Sequence, residues 1–122
     1  MAFKKVLIID DDEDDRKLIK KYLSDEDKNL EFCMATSGEA GIEEVKNRRP
    51  DLIVLDVCMP GIDGFETCKR IKEIDNNIKV IMLTGATESF DARKGQEAGA
   101  EIYTTKDIMA LTLKKAFIKL NQ

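Results

Sequence analysis

Residues 52–60 read Leu-Ile-Val-Leu-Asp-Val-Cys-Met-Pro. Four consecutive aliphatic residues without polar alternation describe a strand covered on both faces, which is the signature of a parallel strand with helices above and below it. Asp56 then interrupts the apolar series, so a carboxylate is carried to the end of a buried strand. Working outward, similar runs occur at Lys5–Ile9, 30–35 and 80–83, and a shorter strand is expected at 101–104, after the Gly99-Ala100 turn. Helical spacing fills the gaps, with Leu18, Ile19, Tyr22 and Leu23 in one segment, Ala40 and Val45 in the next, and Phe65, Cys68, Ile71 and Lys72 in a third. A last helix is expected over about 108–120. Strand and helix alternate through five βα units, which predicts an α/β fold: a doubly wound, five-stranded parallel sheet with right-handed crossovers and helices on both faces.

The 122 residues fit one domain spanning 1–122, and 43% hydrophobic with 36% charged residues excludes fibrous, low-complexity and disordered classes. Twenty Lys and Arg against 24 Asp and Glu leave a net charge of −4, which disfavours a phosphate backbone, so no nucleic-acid partner is expected. The longest aliphatic runs have four residues, far below the ~20 that cross a bilayer, so no membrane partner is expected either. The apolar stretch after Lys4-Lys5 stops at Asp10, too short for a secretion signal. Cys33, Cys58 and Cys68 form no CxxC pair and the chain has no histidine, which removes disulfide frameworks and Cys/His zinc sites. A cytoplasmic location follows as the expectation, with Cys33 and Cys68 as small buried hydrophobes.

Doubly wound sheets bind ligands beyond the carboxyl ends of their strands. The residues expected there are Asp10, Asp11 and Asp12 after the first strand, Asp56 after the third, Thr84 after the fourth and Lys106 after the fifth. Residues 10–15 are six consecutive acids. A helix start explains Asp12 to Asp15, because carboxylates in a first turn interact favourably with the helix dipole. It does not explain acids at the end of a buried strand, where unpaired charge is costly. A hard cation repairs that cost, and Mg²⁺ suits a few carboxylates without His or Cys. Asp56 could then attack a phosphorus centre to form an aspartyl phosphate, with Lys106 and Thr84 contacting the phosphoryl oxygens.

Five segments taken together resemble the receiver domain of two-component response regulators: residues 9–12 (Ile-Asp-Asp-Asp), 50–56 (Pro-Asp-Leu-Ile-Val-Leu-Asp), 59–64 (Met-Pro-Gly-Ile-Asp-Gly), 82–85 (Met-Leu-Thr-Gly) and 99–106 (Gly-Ala-Glu-Ile-Tyr-Thr-Thr-Lys). The resemblance implies a flavodoxin-like sheet of order 2-1-3-4-5. It also implies a phosphorylation-dependent switch in which Asp56 is the phosphoacceptor, Thr84 and Lys106 contact the phosphoryl group, and Tyr103 follows the movement of Thr84. Mg²⁺ would be held by Asp10, Asp11, Asp56 and the Cys58 backbone carbonyl. The implied partners are a histidine kinase or phosphotransfer protein and an unknown downstream protein. Such a protein is a phosphoacceptor that assists its own phosphorylation and dephosphorylation, not an enzyme in the usual sense. Two alternatives compete. A haloacid dehalogenase-like phosphatase needs an acid two residues after the nucleophile, where this chain has Cys58. A phosphate-independent pseudo-receiver is opposed by intact Asp11, Asp56, Thr84 and Lys106.

One position departs from the family pattern. Pro usually follows the lysine, and here Asp107 does, so the placing of Lys106 is in question and Asp107 is expected to cap the last helix. On that helix Met109, Leu113, Ala116 and Leu120 share the expected core face, while Leu111 and Ile118 lie nearly opposite and are expected to serve output or a homodimer. Cys58 and Ala86, two places after Asp56 and Thr84, offer little to orient a hydrolytic water, so a long-lived phosphorylated form is expected.

Overall fold

A computed structural model describes residues 2–85 and 91–121. The chain alternates strictly: β1 (Lys5–Ile9), α1 (Glu13–Glu26), β2 (Glu31–Ala35), α2 (Gly38–Arg48), β3 (Leu52–Asp56), α3 (Gly64–Ile74), β4 (Lys79–Thr84), α4 (Ala92–Ala98), β5 (Ile102–Thr105) and α5 (Met109–Leu120), the last preceded by a 3₁₀ turn at Lys106–Ile108. All strand pairings are parallel and the order is β2-β1-β3-β4-β5. The expected doubly wound sheet is present, and its switch in strand order falls between β1 and β3.

The aliphatic runs fill two cores because alternate strand residues face opposite sides of the sheet. Val6, Ile8, Leu52, Val54, Ile81 and Leu83 pack with Ile19 and Leu23 of α1 and with Leu113, Ala116 and Phe117 of α5. Leu7, Ile9, Ile53, Leu55, Val80 and Met82 pack with Val45 of α2, with Cys68 and Ile71 of α3 and with Ala98 of α4. Burying each Leu or Ile stabilises by about 1.5–3 kcal/mol, so the three central strands carry most of the fold. β2 and β5 form the edges and are only partly covered.

The structure departs from the sequence expectations at the margins. β3 extends through Asp56, so the acid is the last strand residue instead of the first loop residue. β5 sits one residue later than expected, at Ile102–Thr105. Cys33 is only half-buried, since it lies on edge strand β2; Cys68 is fully buried, its Sγ 3.3 Å from the Ala98 carbonyl. On α5, Leu113, Ala116 and Met109 are buried as expected, but Phe117 takes a core place beside a partly covered Leu120. Asp107 does not cap α5. It lies inside the 3₁₀ turn, where the Thr105 hydroxyl donates to its carboxylate, and α5 begins after Ile108 without a side-chain cap. Among the described residues no helix is long and apolar enough to cross a membrane.

Candidate functional site

Parallel register decides which side chains meet. Ile9 pairs with Leu55, Leu55 with Met82, and Met82 with Tyr103. Asp10 and Asp56, each one residue further, therefore emerge side by side at the carboxyl rim, and Thr84 pairs with Thr105 just before Lys106. The sheet delivers the expected groups to one place.

Carboxylate oxygens of Asp10, Asp11 and Asp56 lie within 4.8 Å of one another, with Asp10 and Asp56 buried and Asp11 exposed. Asp10 is fixed by its neighbours. Its backbone N–H donates to the Ala35 carbonyl at 3.0 Å, its carbonyl accepts from Arg16 Nη1 at 2.8 Å, and its Oδ1 accepts from the Asp12 backbone N–H at 2.9 Å. Asp12 caps α1 by accepting from the Asp14 and Asp15 backbone N–H groups, so the helix start accounts for this member of the acidic run. Three oxygen ligands of hard, anionic character, one of them facing solvent, fit Mg²⁺, which keeps several waters.

Asp56 has a sparser setting. Its Oδ1 accepts one long hydrogen bond from the Cys58 N–H at 3.3 Å and lies 3.6 Å from Lys106 Nζ. The following loop turns through Gly61 at φ +82°, a left-handed backbone that favours glycine. Gly64 opens α3 against the β3 backbone, where a Cβ would come within 2.5 Å of the Asp56 carbonyl oxygen. Thr84 is buried, with Cys58 Sγ 3.9 Å from its hydroxyl, and the Cys58 side chain is exposed. Tyr103 is half-buried and meets Phe65 edge-on at 5.6 Å, in a notch left by Gly95. Ala86 lies outside the described residues.

Electrostatics follow from burial. Removal from water pushes the Asp56 carboxyl up to about 6, helped by the negative charge of Asp10 and opposed by Lys106. Burial also raises Asp10, against the lowering effect of its hydrogen bond from Lys106. For Lys106, burial alone would favour the neutral amine, but hydrogen bonds to Asp10 and Asp15 and the Asp56 charge outweigh it and hold the ammonium above its usual range. Two buried carboxyls held above their usual range mainly by loss of water, beside a third acid, make a place where a divalent cation would be favoured.

Sequence reasoning missed Asp15. Its Oδ2 accepts from Lys106 Nζ at 2.7 Å, as short as the 2.8 Å contact from that ammonium to Asp10. The available signal was helical: Asp15, Ile19 and Leu23 share one face of α1, and Ile19 and Leu23 are buried. An acid on a buried stripe needs a partner.

Comparison with known proteins shows the family and the fold. The family model for the response regulator receiver domain matches residues 6–118. The chain is 39% identical to the transcriptional regulatory protein AfsQ1 of Streptomyces coelicolor, over 88% of its own length and 47% of that protein's. It is 38% identical to the chemotaxis protein CheY of Halobacterium salinarum, covering 84% of each. The chain thus spans about half the length of several transcriptional regulators it matches, and most of the chemotaxis protein. Among solved structures, a CheY-like receiver domain protein from Methanospirillum hungatei superposes with a TM-score of 0.85 at 27% identity, covering 98% of this chain and 94% of that one. The response regulator TrrA of Thermotoga maritima, in complex with Mg²⁺ and beryllium fluoride, gives 0.84 at 30% identity, covering 96% and 98%. The chain belongs to the response regulator receiver domain family of two-component signalling.

Proposed function

We propose that this domain is a phosphorylation-dependent switch in which Asp56 accepts a phosphoryl group from a histidine kinase or phosphotransfer protein. The observation that carries the reading is the convergence of Asp10, Asp11 and Asp56 within 4.8 Å, beside an ammonium 3.6 Å from the Asp56 carboxylate. An Asp56 oxygen attacks phosphorus in line. The new P–O bond forms as the P–N bond of a phosphohistidine, or the P–O bond of a small acyl phosphate, breaks. The leaving group keeps the electron pair, and a leaving imidazole takes up a proton. Mg²⁺, held by Asp10, Asp11, Asp56 and the Cys58 backbone carbonyl, would neutralise charge on the phosphoryl oxygens. Lys106 donates to one of these oxygens and the Thr84 hydroxyl to another, since this chemistry is mainly positioning and electrostatics.

The signal leaves through movement of Thr84 and Tyr103, to a partner surface formed by Tyr103, α4 and the outer face of α5. Leu111 and Ile118 stand 54% and 55% exposed there, so apolar area is available for a downstream protein or a second copy. Sedimentation with and without beryllofluoride tests the dimer; a monomer in both conditions would discard it.

Exposure to a small acyl phosphate, followed by intact-mass measurement, tests the switch. One added phosphoryl group that requires Mg²⁺ is expected. No added mass under any Mg²⁺ concentration would leave the phosphate-independent interaction module as the better reading.

A further inference from the structure

Lys106 is the last residue of the expected constellation and the least constrained by sequence. Pro does not follow it, no cis peptide occurs among the described residues, and the 3₁₀ turn that holds it lacks a side-chain cap. Its Nζ is nonetheless fixed, with Asp10 at 2.8 Å and Asp15 at 2.7 Å as hydrogen-bond acceptors. These two acceptors differ in kind. Asp10 belongs to the three-carboxylate cluster, and Asp15 does not. A divalent cation drawn to that cluster would compete with the ammonium for Asp10 and Asp56 and repel it. Asp15 lies outside the competition, on the first turn of α1.

The position of Asp15 is well supported. α1 and α5 share a core in which Ile19 and Leu23 meet Leu113, Ala116 and Phe117. Asp15 heads the buried stripe of α1, and Lys106 enters the turn before α5. The ion pair joins these two elements at the rim, with side-chain exposures of 16% for Lys106 and 25% for Asp15. An ion pair this sheltered is screened less than a surface pair.

We infer that Asp15 is a positioning residue for Lys106: it keeps the ammonium at the rim when a divalent cation occupies the carboxylate cluster, a side-chain restraint at a lysine that no proline follows. An ammonium has three N–H donors. With one on Asp15, others remain for a phosphoryl oxygen. This inference rests on the phosphoacceptor reading and adds to it a residue that acts only through Lys106.

Two measurements on the whole chain test it, comparing the parent with Asp15→Asn, and with Asp14→Asn as a control that removes the same charge from an exposed neighbour. In saturating Mg²⁺, the Lys106 ammonium of the parent and of Asp14→Asn should give a resolved, slowly exchanging NMR signal. In Asp15→Asn that signal should broaden away while the backbone amide spectrum stays dispersed. Beryllofluoride titration in the same Mg²⁺ should show roughly tenfold weaker adduct formation in Asp15→Asn only, the scale of one charge-assisted hydrogen bond. Mg²⁺ affinity should move no further than in the control, and Asp15→Glu should recover most of the adduct affinity. Persistence of the Lys106 signal in Asp15→Asn, or equal weakening of the adduct in both Asn variants, would overturn the inference. A parent chain that forms no adduct would count against the phosphoacceptor reading, and the ammonium signal would then judge the Asp15 anchor separately.

Discussion

β3 is flanked by an acid at each end, and the two are treated in opposite ways. Asp51 precedes the strand and accepts hydrogen bonds from the backbone N–H groups of Lys4 and Lys5 at 2.8 and 2.9 Å, which ties the start of β1 to β3. Asp56 closes the strand with 5% exposure, one 3.3 Å hydrogen bond and an ammonium at 3.6 Å. One carboxylate is satisfied by short bonds to its neighbours and is structural. The other is buried, crowded by Asp10 and only loosely met, which suits the role proposed for it. What separates the proposed phosphoacceptor from the structural acid is incomplete satisfaction in a dry place.

Stability measured against pH should sharpen this contrast most. The Asp56 carboxyl titrates at about 6 in the fold against an ordinary 3.8, so the folded chain binds this proton more tightly than the unfolded one. Its favourable contribution is complete below pH 3.8 and is lost as pH rises through 6. Without divalent cations, Asp56→Asn should therefore be more stable than the parent at pH 7 by about 1–3 kcal/mol, and the gain should vanish near pH 3.8. Asp51→Ala should lose about 1–2 kcal/mol at pH 7, because two hydrogen bonds to a charged acceptor disappear. Urea unfolding at the two pH values checks both, and destabilisation by Asp56→Asn at pH 7 would break the comparison.

Cation affinity comes next in size. Asp11→Ala should weaken Mg²⁺ binding by about tenfold through loss of a ligand, and Asp14→Ala should change it by less than about twofold, since an exposed charge outside the cluster is screened. Equal losses by calorimetric titration would mean that the acidic run acts as a diffuse field.

The smallest effect expected is on lifetime. Cys58 is exposed 3.9 Å from the Thr84 hydroxyl and holds water poorly. Adding polar groups with Cys58→Asn and Ala86→Glu should speed decay of the phosphorylated form by roughly threefold or more, by orienting the attacking water. Decay no faster than the parent's would show that these side chains do not set the lifetime.

Most of the fold was legible because the central strands, residues 6–9, 52–55 and 80–83, are uninterrupted aliphatic runs that alternate with segments of helical spacing. The rim was legible where a polar residue breaks such a run, as Asp56 and Thr84 do. Asp15 was hidden because it sits in a run of six acids whose shared charge masks their different surroundings. Glu13 pairs with exposed Lys17, Asp12 caps the helix, and Asp15 turns inward to Lys106. Composition cannot separate them, whereas helical phase against Ile19 and Leu23 can. The turn after β5 was misjudged for a related reason. Capping preference pointed to Asp107, but Thr105 engages its carboxylate, and the chain makes a 3₁₀ turn before α5 begins.

The central claim is that the loosely held acid at the end of β3 carries the phosphoryl group. Borohydride reduces an aspartyl phosphate to homoserine, which marks the residue permanently for peptide mass analysis. After treatment with a small acyl phosphate and Mg²⁺, homoserine should appear at position 56 alone, and at no position when Mg²⁺ is withheld. Homoserine at Asp10, Asp11 or Asp51, or its absence from position 56 in a chain that has gained a phosphoryl group, would contradict the account.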